Sequence, residues 1–159
     1  MANLPEFATS TGDHRFDDKL DDRSIAGYEA RIAWAGKVQD RVEAWEKSFA
    51  GVASKEDRVS ARLLRHHCSC VLEGIKFKTF LCPLNRLEGP HTELPQLIDY
   101  MNISSEVDYK NYISRLRAIP TSLSQVTDLL REGVATGMLP PAVGLEGVAT
   151  QLAETEAAL

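Results

Sequence analysis

Hydrophobic side chains recur at spacings of three and four residues along most of the chain, a pattern typical of amphipathic helices. The first run begins after Ser24, a residue suited to cap a helix, and continues to Phe49 before "AGVAS" interrupts it around Gly51. A second run, over residues 55–78, follows the capping serine Ser54. The pattern therefore predicts two long antiparallel helices joined by a short turn.

The segment after these two runs loses the periodicity and is rich in proline and glycine. Residues 80–96, which begin with "FLCPLNRLEGPHTELP", are therefore predicted to form one long irregular loop. A short helix is predicted over residues 93–101, with Thr92 as its cap and Pro95 in its first turn, where a missing N–H is harmless.

The remaining part of the chain predicts further helices. Ser105 and Asp108 form a capping signature ahead of the next apolar run, and Pro120 is predicted to stop that helix. Another run, over residues 123–134, is followed by Gly137, a natural residue just past a helix end. The sequence after "LPP" predicts a weak, alanine-rich last helix.

These runs add up to an all-α fold of five or six helices, since no segment predicts a strand. The composition fits: the chain has 159 residues, of which 43% are hydrophobic and 26% charged, as in a single globular domain. Residues 1–159 are therefore predicted to form one helical domain. Residues 1–23 precede the first run and are predicted to be an extended, irregular lead.

The charge and the cysteine content narrow the class of protein. A net charge of −5 without a basic run argues against nucleic acid as a partner, because phosphate binding requires a basic face. No segment has the length or apolar character of a membrane span or of a secretory signal. The three cysteines have no disulfide or zinc-finger spacing, which predicts reduced thiols in a cytoplasmic protein.

The segment "LLRHHCSCVLEG" places two histidines and two cysteines within five positions. On a helix, Cys68 and Cys70 point to nearly opposite sides, whereas His66 and Cys70 share a face. One helix thus offers at most two ligands, and a closed zinc site needs four. We therefore predict no metal in this chain. The cysteines are expected to be small core residues and the histidines to lie at a helix–helix boundary. The alternative is a metal site in which His66 and Cys70 are ligands.

Other motifs of catalysis are absent from the sequence. It contains no HExxH, no nucleophile elbow, no phosphate-binding glycine loop and no dinucleotide fingerprint. The carboxylates of residues 17–22 are read as a solvated charge run.

Three segments together resemble a known family. They are "LPEFATSTGDHRFDDKLDD", "LCPLNRLEGPHTELPQLI" and "DYKNYISRLRAIPTSLSQVTDLLREGVATGMLPP". The resemblance, which covers nearly the whole chain, is to the amino-terminal part of the helical proteins named domain of unknown function 885. It implies a longer, zinc-metallopeptidase-like hydrolase whose zinc-binding HExxH segment lies beyond this sequence. Zinc would then belong to the full-length family, and no zinc ligand can be assigned to this chain.

Within the matching part, "PLNRLEGPH" is the candidate loop of a substrate cleft. Asn85 and His91 are polar, and Gly89 permits close approach of a backbone. The alternative is structural: Asn85 and His91 hydrogen-bond the loop's own backbone, as turn residues do.

Two functions from different classes follow. The first is a non-catalytic amino-terminal domain that forms a wall of the substrate cleft, its partner being the missing carboxy-terminal catalytic domain or, through exposed apolar helix faces, a second copy. The second is a self-contained protein-interaction module anchored by an aromatic residue, Trp34 being the expected surface anchor and Trp45 a core residue. An independent metalloenzyme built on His66 and Cys70 is a third, lesser hypothesis.

Overall fold

Helices form the regular secondary structure of the chain, and the described residues contain no strand. The computed structural model describes residues 3–49 and 51–157, with side chains up to residue 154. The first two residues of the predicted lead, Ala50 of the predicted interruption and residues 158–159 of the last predicted helix lie outside this part. The all-α prediction is confirmed. The helices are α1 (Pro5–Ser10), α2 (Ile25–Phe49), α3 (Lys55–Lys76), α4 (Pro90–Glu93), α5 (Leu97–Tyr100), α6 (Glu106–Thr136), α7 (Ala142–Leu145) and α8 (Val148–Ala157).

The chain divides into two compact units. One comprises Ala26–Phe80, and the other comprises Met1–Ile25 together with Leu81–Leu159. The prediction of a single domain stays a prediction. Among the described residues, none of the helices combines the length and the apolar character needed to cross a bilayer.

The unit Ala26–Phe80 is a hairpin of α2 and α3. Ser54 caps α3: its hydroxyl oxygen accepts the amide of Asp57, and the carboxylate of Asp57 accepts the amide of Ser54, as the capping signature predicts. The guanidinium of Arg65 on α3 contacts the carboxylate of Glu46 on α2 at 2.8 Å. Cys68 is the buried side chain of α3, and burial raises the pKa of its thiol.

The other unit is organised around α6. Its buried face carries residues spaced by three, four and seven positions: Arg115, Ser122, Val126, Leu129 and Gly133. At Gly133 a Cβ atom would lie 2.7 Å from the carbonyl oxygen of Met138 and 3.0 Å from that of Leu81. Glycine is required there because two backbone segments approach the helix too closely for any side chain. Gly137, with φ of 73°, ends α6 in the left-handed conformation that the sequence predicts.

Pro120 lies inside α6 and does not end it, so the prediction that this residue stops a helix was wrong. Its missing N–H removes the usual hydrogen bond to the carbonyl of Leu116, at a typical cost of about 3 kcal/mol. Residues on both sides of Pro120, namely Arg115 before it and Ser122 and Val126 after it, are buried on the same face. Tertiary packing on both sides therefore holds the helix together across the proline.

Two other segments also differ from the sequence prediction. The lead is not extended throughout, because it contains α1 and a 3-10 turn over His14–Phe16. The single short helix predicted over residues 93–101 is instead two helices, α4 and α5, and Pro95 falls between them. Gly89, not Thr92, is the cap of α4, and the Thr92 hydroxyl donates to the Gly89 carbonyl oxygen. Proline and glycine thus start helical turns inside the region predicted to be a loop.

Candidate functional site

Among the polar residues whose burial the structure describes, Arg115 on α6 has the lowest exposed fraction, 0%. Its Nε donates to the carbonyl oxygen of Lys19 at 2.9 Å, and its Nη2 donates to the hydroxyl of Thr9 at 2.6 Å. Burial lowers the pKa of Arg115, although the charges of nearby carboxylates, Asp17 first among them, oppose that shift. An arginine remains charged under such conditions, so a buried cation holds the lead against α6.

Asp17 extends this contact toward the surface. Its Oδ1 accepts the Thr9 hydroxyl at 2.6 Å, and its Oδ2 lies 2.9 Å from Nδ1 of the exposed residue His14. Asp17 is 5% exposed, so the prediction of a solvated charge run was wrong for this residue. Arg115, Thr9, Asp17 and His14 therefore form one hydrogen-bonded chain from the buried face of α6 to solvent.

A second buried cation joins the lead to α4. Arg23 donates to both carboxylate oxygens of Glu6, at 2.7 and 3.1 Å, and to the carboxylate of Glu93 at 2.7 Å. Burial alone would raise the pKa of Glu6, but the hydrogen bonds and charge of Arg23, with the amide of Asp21, outweigh it and lower that pKa. Burial would likewise lower the pKa of Arg23, yet Glu6 and Glu93 raise it. This network fixes the position of the segment that follows the predicted cleft loop.

Two residues of the predicted cleft loop, Asn85 and Gly89, have structural roles. The side-chain oxygen of Asn85 accepts the amides of Leu87 and Glu88 at 2.8 and 3.1 Å, which is the turn role considered for it. Gly89 has φ of 136°, and a Cβ atom there would lie 2.7 Å from the Cβ of Leu84. The loop geometry therefore requires both residues. Their proposed contact with a substrate stays a prediction.

His91, the third predicted residue of this loop, differs from Asn85. It is 7% exposed, and neither ring nitrogen has a hydrogen-bond partner within the part of the chain that the structure describes. The alternative in which His91 bonds the loop backbone therefore finds no support. A buried imidazole without partners is costly, so His91 is the loop residue whose polar atoms most need a further contact.

The histidine–cysteine segment lies on α3. His66 and Cys70 are exposed on one face, with Nε2 and Sγ 3.7 Å apart, as the helical spacing predicts. Cys68 is buried and fits the prediction of a small core residue, whereas Cys70 is exposed, so for Cys70 that prediction was wrong. His66 and His67 are both exposed on α3.

A comparison with protein-family models tests the family resemblance that the three quoted segments suggest. The model of a family described as a bacterial protein of unknown function, DUF885, matches residues 5–158. The chain belongs to the DUF885 family. The match covers α1 through α8 and confirms the family inferred from the sequence, while its description carries no activity. No match was found among curated proteins, and none among solved structures.

The zinc that the resemblance implies for longer relatives does not fit the residues of this DUF885 chain. Among the side chains that the structure describes, in residues 3–49 and 51–154, no three histidine, cysteine or carboxylate groups converge in a way that could hold a metal ion. A catalytic zinc needs three protein ligands, so no zinc ligand set can be assigned to these residues.

The burial of two cations of this DUF885 chain, Arg115 and Arg23, was not predicted from the sequence. A signal existed for Arg115, because it lies seven residues before Ser122 and eleven before Val126, on the apolar face of a helix. A charged residue at such a position indicates a buried, partnered group. Arg23 lies in a charged segment and carries no comparable signal.

Proposed function

We propose that this DUF885 chain is a non-catalytic helical domain, the amino-terminal part of a zinc-metallopeptidase-like hydrolase, in which it forms one wall of the substrate cleft. The resemblance of the three quoted segments supports the parent protein. Two buried cations support a structural role, because the partners of Arg115 are a backbone carbonyl and the Thr9 hydroxyl, and those of Arg23 are the carboxylates of Glu6 and Glu93. The loop with Asn85, Gly89 and His91 would line the cleft.

The observation that carries the proposal is a second apolar row on α6. Besides its buried face, the helix has a row of large apolar side chains that share another face and are 36% to 68% exposed: Tyr109, Ile113, Leu116, Leu123 and Val134. Thr127 and Arg131 separate Val134 from the rest of the row, whereas from Tyr109 to Leu123 the row is apolar, and soluble monomers rarely leave such a surface to water. Spacings of four, three and seven residues are those at which a helix packs along another helix.

We therefore expect the exposed apolar row on α6 to bind a partner through apolar side chains. In the proposed parent this partner is the zinc-bearing domain. For the chain by itself, a second copy can cover the same surface, which gives self-association. Either way, the exposed row on α6 is predicted to reduce the stability or the solubility of the chain when nothing covers it.

The experiment is to purify the full chain in the presence of EDTA and a reductant and to measure its molar mass by light scattering after gel filtration. We expect either a homo-oligomer or a marginally stable chain with a shallow unfolding transition. Leu116→Glu and Leu123→Glu should each shift an oligomer toward monomer and reduce binding of a hydrophobic dye. Ser124→Glu, an exposed change on the same helix, is the matched control and should leave both readouts unchanged.

A monodisperse monomer with cooperative unfolding and no dye binding would contradict the proposal, because the row would then need no partner. Loss of helix in either glutamate variant is detected by circular dichroism, and Leu116→Ser then tests the row with a milder change. Association that persists unaltered in these variants would place the contact elsewhere and equally count against the proposal.

The stand-alone interaction module is the second candidate function. It is favoured by Trp34, which is 48% exposed on α2, because exposed tryptophans often anchor protein interfaces. Trp45, predicted to be a core residue, is half-buried and stacks on Phe49 with ring centroids 6.0 Å apart. Trp34→Ala should abolish capture of a partner without unfolding the chain, and undiminished capture would remove the main reason for this alternative.

A further inference from the structure

The side chains of His66 and Cys70 hold two metal-binding atoms at a distance that suits a zinc ion. Nε2 of His66 and Sγ of Cys70 are 3.7 Å apart on the exposed face of α3. In tetrahedral zinc, with Zn–S of about 2.3 Å and Zn–N of about 2.1 Å, a sulfur and a nitrogen ligand lie about 3.6 Å apart. The pair therefore already spans one edge of a zinc tetrahedron, and no rotation of the backbone is required.

One chain supplies only half of such a site. The described residues contain no third ligand that converges on this pair, and a closed structural zinc site has four. A closed zinc site at this pair would therefore take its other two ligands from another molecule. A second copy of the same chain brings an identical pair, and two histidines with two cysteines form the S₂N₂ set that selects zinc.

The surface around the pair is suited to a facing helix. Val59, Leu63, His66 and Cys70 follow one another at spacings of four, three and four residues, so they form one row along α3. Val59 is 47% and Leu63 is 64% exposed, although both are apolar. The row lies roughly 200° around the helix axis from the buried residue Cys68, so α2 does not cover it.

A shallow depression of about 470 Å³ lies beside this row. Its lining belongs entirely to α3 and consists of Val59, Arg62, Leu63, Arg65, His66 and Ser69. A facing helix can therefore make apolar contacts with Val59 and Leu63 next to the metal ligands. A second copy of the chain would therefore both cover the apolar residues of the row and complete the zinc site.

We infer that two copies of the chain pair through α3 and share one zinc ion, held by His66 and Cys70 of each copy. On binding, each Cys70 thiol releases one proton to solvent and the histidines bind as neutral imidazoles. Two thiolates balance the two charges of zinc, so the site is neutral and no redox change occurs. This zinc is structural, it is separate from the catalytic zinc of the proposed parent, and the inference does not rest on the proposed function.

The test uses the full chain stripped of metal and kept reduced with a phosphine, which does not compete strongly for zinc. Zinc is titrated while molar mass is followed by light scattering and bound metal by mass spectrometry. We expect one zinc ion per two chains and a zinc-dependent doubling of the molar mass. Cobalt in place of zinc should give the intense thiolate-to-metal absorption of a tetrahedral site.

Variants separate the pair from neighbouring residues of the same types. His66→Ala and Cys70→Ser should each abolish the zinc-dependent doubling, and because both positions are exposed the helix content should not change. His67→Ala and Cys82→Ser are the matched controls and should behave as the unmodified chain. If His66→Ala lowers the helix content, His66→Gln provides the same test with less loss of side-chain volume.

Three results would overturn the inference. They are zinc bound at one ion per monomer, zinc binding that Cys70→Ser leaves intact, and a molar mass that zinc does not change. Because association through α6 is measured in EDTA, failure of this inference and failure of the proposed function are distinguishable.

Discussion

Replacement of Arg115 by methionine tests whether a buried cation fixes the lead to α6. The change keeps much of the side-chain length but removes the donors to the Lys19 carbonyl and to the Thr9 hydroxyl, at 2.9 and 2.6 Å. Each hydrogen bond from a charged group is worth about 1.5–3 kcal/mol. Methionine carries no charge, so the variant avoids the desolvation cost of a buried cation, several kcal/mol, and this offsets part of that loss.

We therefore expect Arg115→Met to lower the free energy of unfolding by about 3 kcal/mol, at the lower end of the range for breaking a buried charged network. The midpoint of thermal unfolding should fall by roughly 6–12 °C for a chain of this size. The assay is urea unfolding followed by circular dichroism. Limited trypsin digestion provides a local readout, because Arg15 and Lys19 in the released lead should be cleaved faster.

Arg117→Met is the matched control, because Arg117 is an exposed arginine two residues away on the same helix. It should change the free energy of unfolding by less than about 0.5 kcal/mol. Combining Arg115→Met with Thr9→Val should cost less than the sum of the two, because both remove the same hydrogen bond. An Arg115→Met protein as stable as the Arg117→Met control, with an unaltered digestion pattern, would refute the reasoning.

Two further predictions concern substitutions at Glu6 and Gly133. The folded-state pKa of Glu6 lies below the usual value of 4.5 for this side chain, so its contribution to stability is full above about pH 4.5 and is lost as pH falls through the folded-state pKa. Urea unfolding of Glu6→Gln at several pH values should lack this decline, and a decline identical to that of the unmodified chain would contradict the role of its pair with Arg23. Gly133→Ala should destabilise the chain by about 1–3 kcal/mol, because its Cβ would meet the Met138 carbonyl at 2.7 Å. Gly36→Ala, in the interior of α2 with no atom within 4 Å of its Cβ, should instead stabilise it by about 0.5–1 kcal/mol, and equal effects in both would refute the steric argument.

Local signals in the sequence predicted where two of the long helices begin. The starts of α3 and α6 follow from Ser54 and Ser105, each of which forms its capping box with an aspartate three residues later. Such signals are readable because both partners lie within one turn. The error at Pro120 has the opposite origin, since the residues that hold α6 together there make their contacts with other parts of the chain.

The candidate site was less accessible to sequence analysis for the same reason. The partners of Arg115 lie 96 and 106 positions away along the chain, and no local pattern joins them. The side-by-side arrangement of His66 and Cys70 was predictable, because it depends only on the helical repeat. The burial of His91 and Asp17 was not, because both belong to segments whose composition is that of exposed loops.

The long separation between the lead and its anchor on α6 also has a consequence for biosynthesis. Thr9 is made 106 residues before Arg115, to which it bonds. At the usual rate of translation, the nascent lead waits roughly 5–20 s before its anchor exists. During that interval its acidic residues and α1 have no native contact to α6. Chaperones and proteases in the cell therefore meet this end of the molecule before it can adopt its final structure.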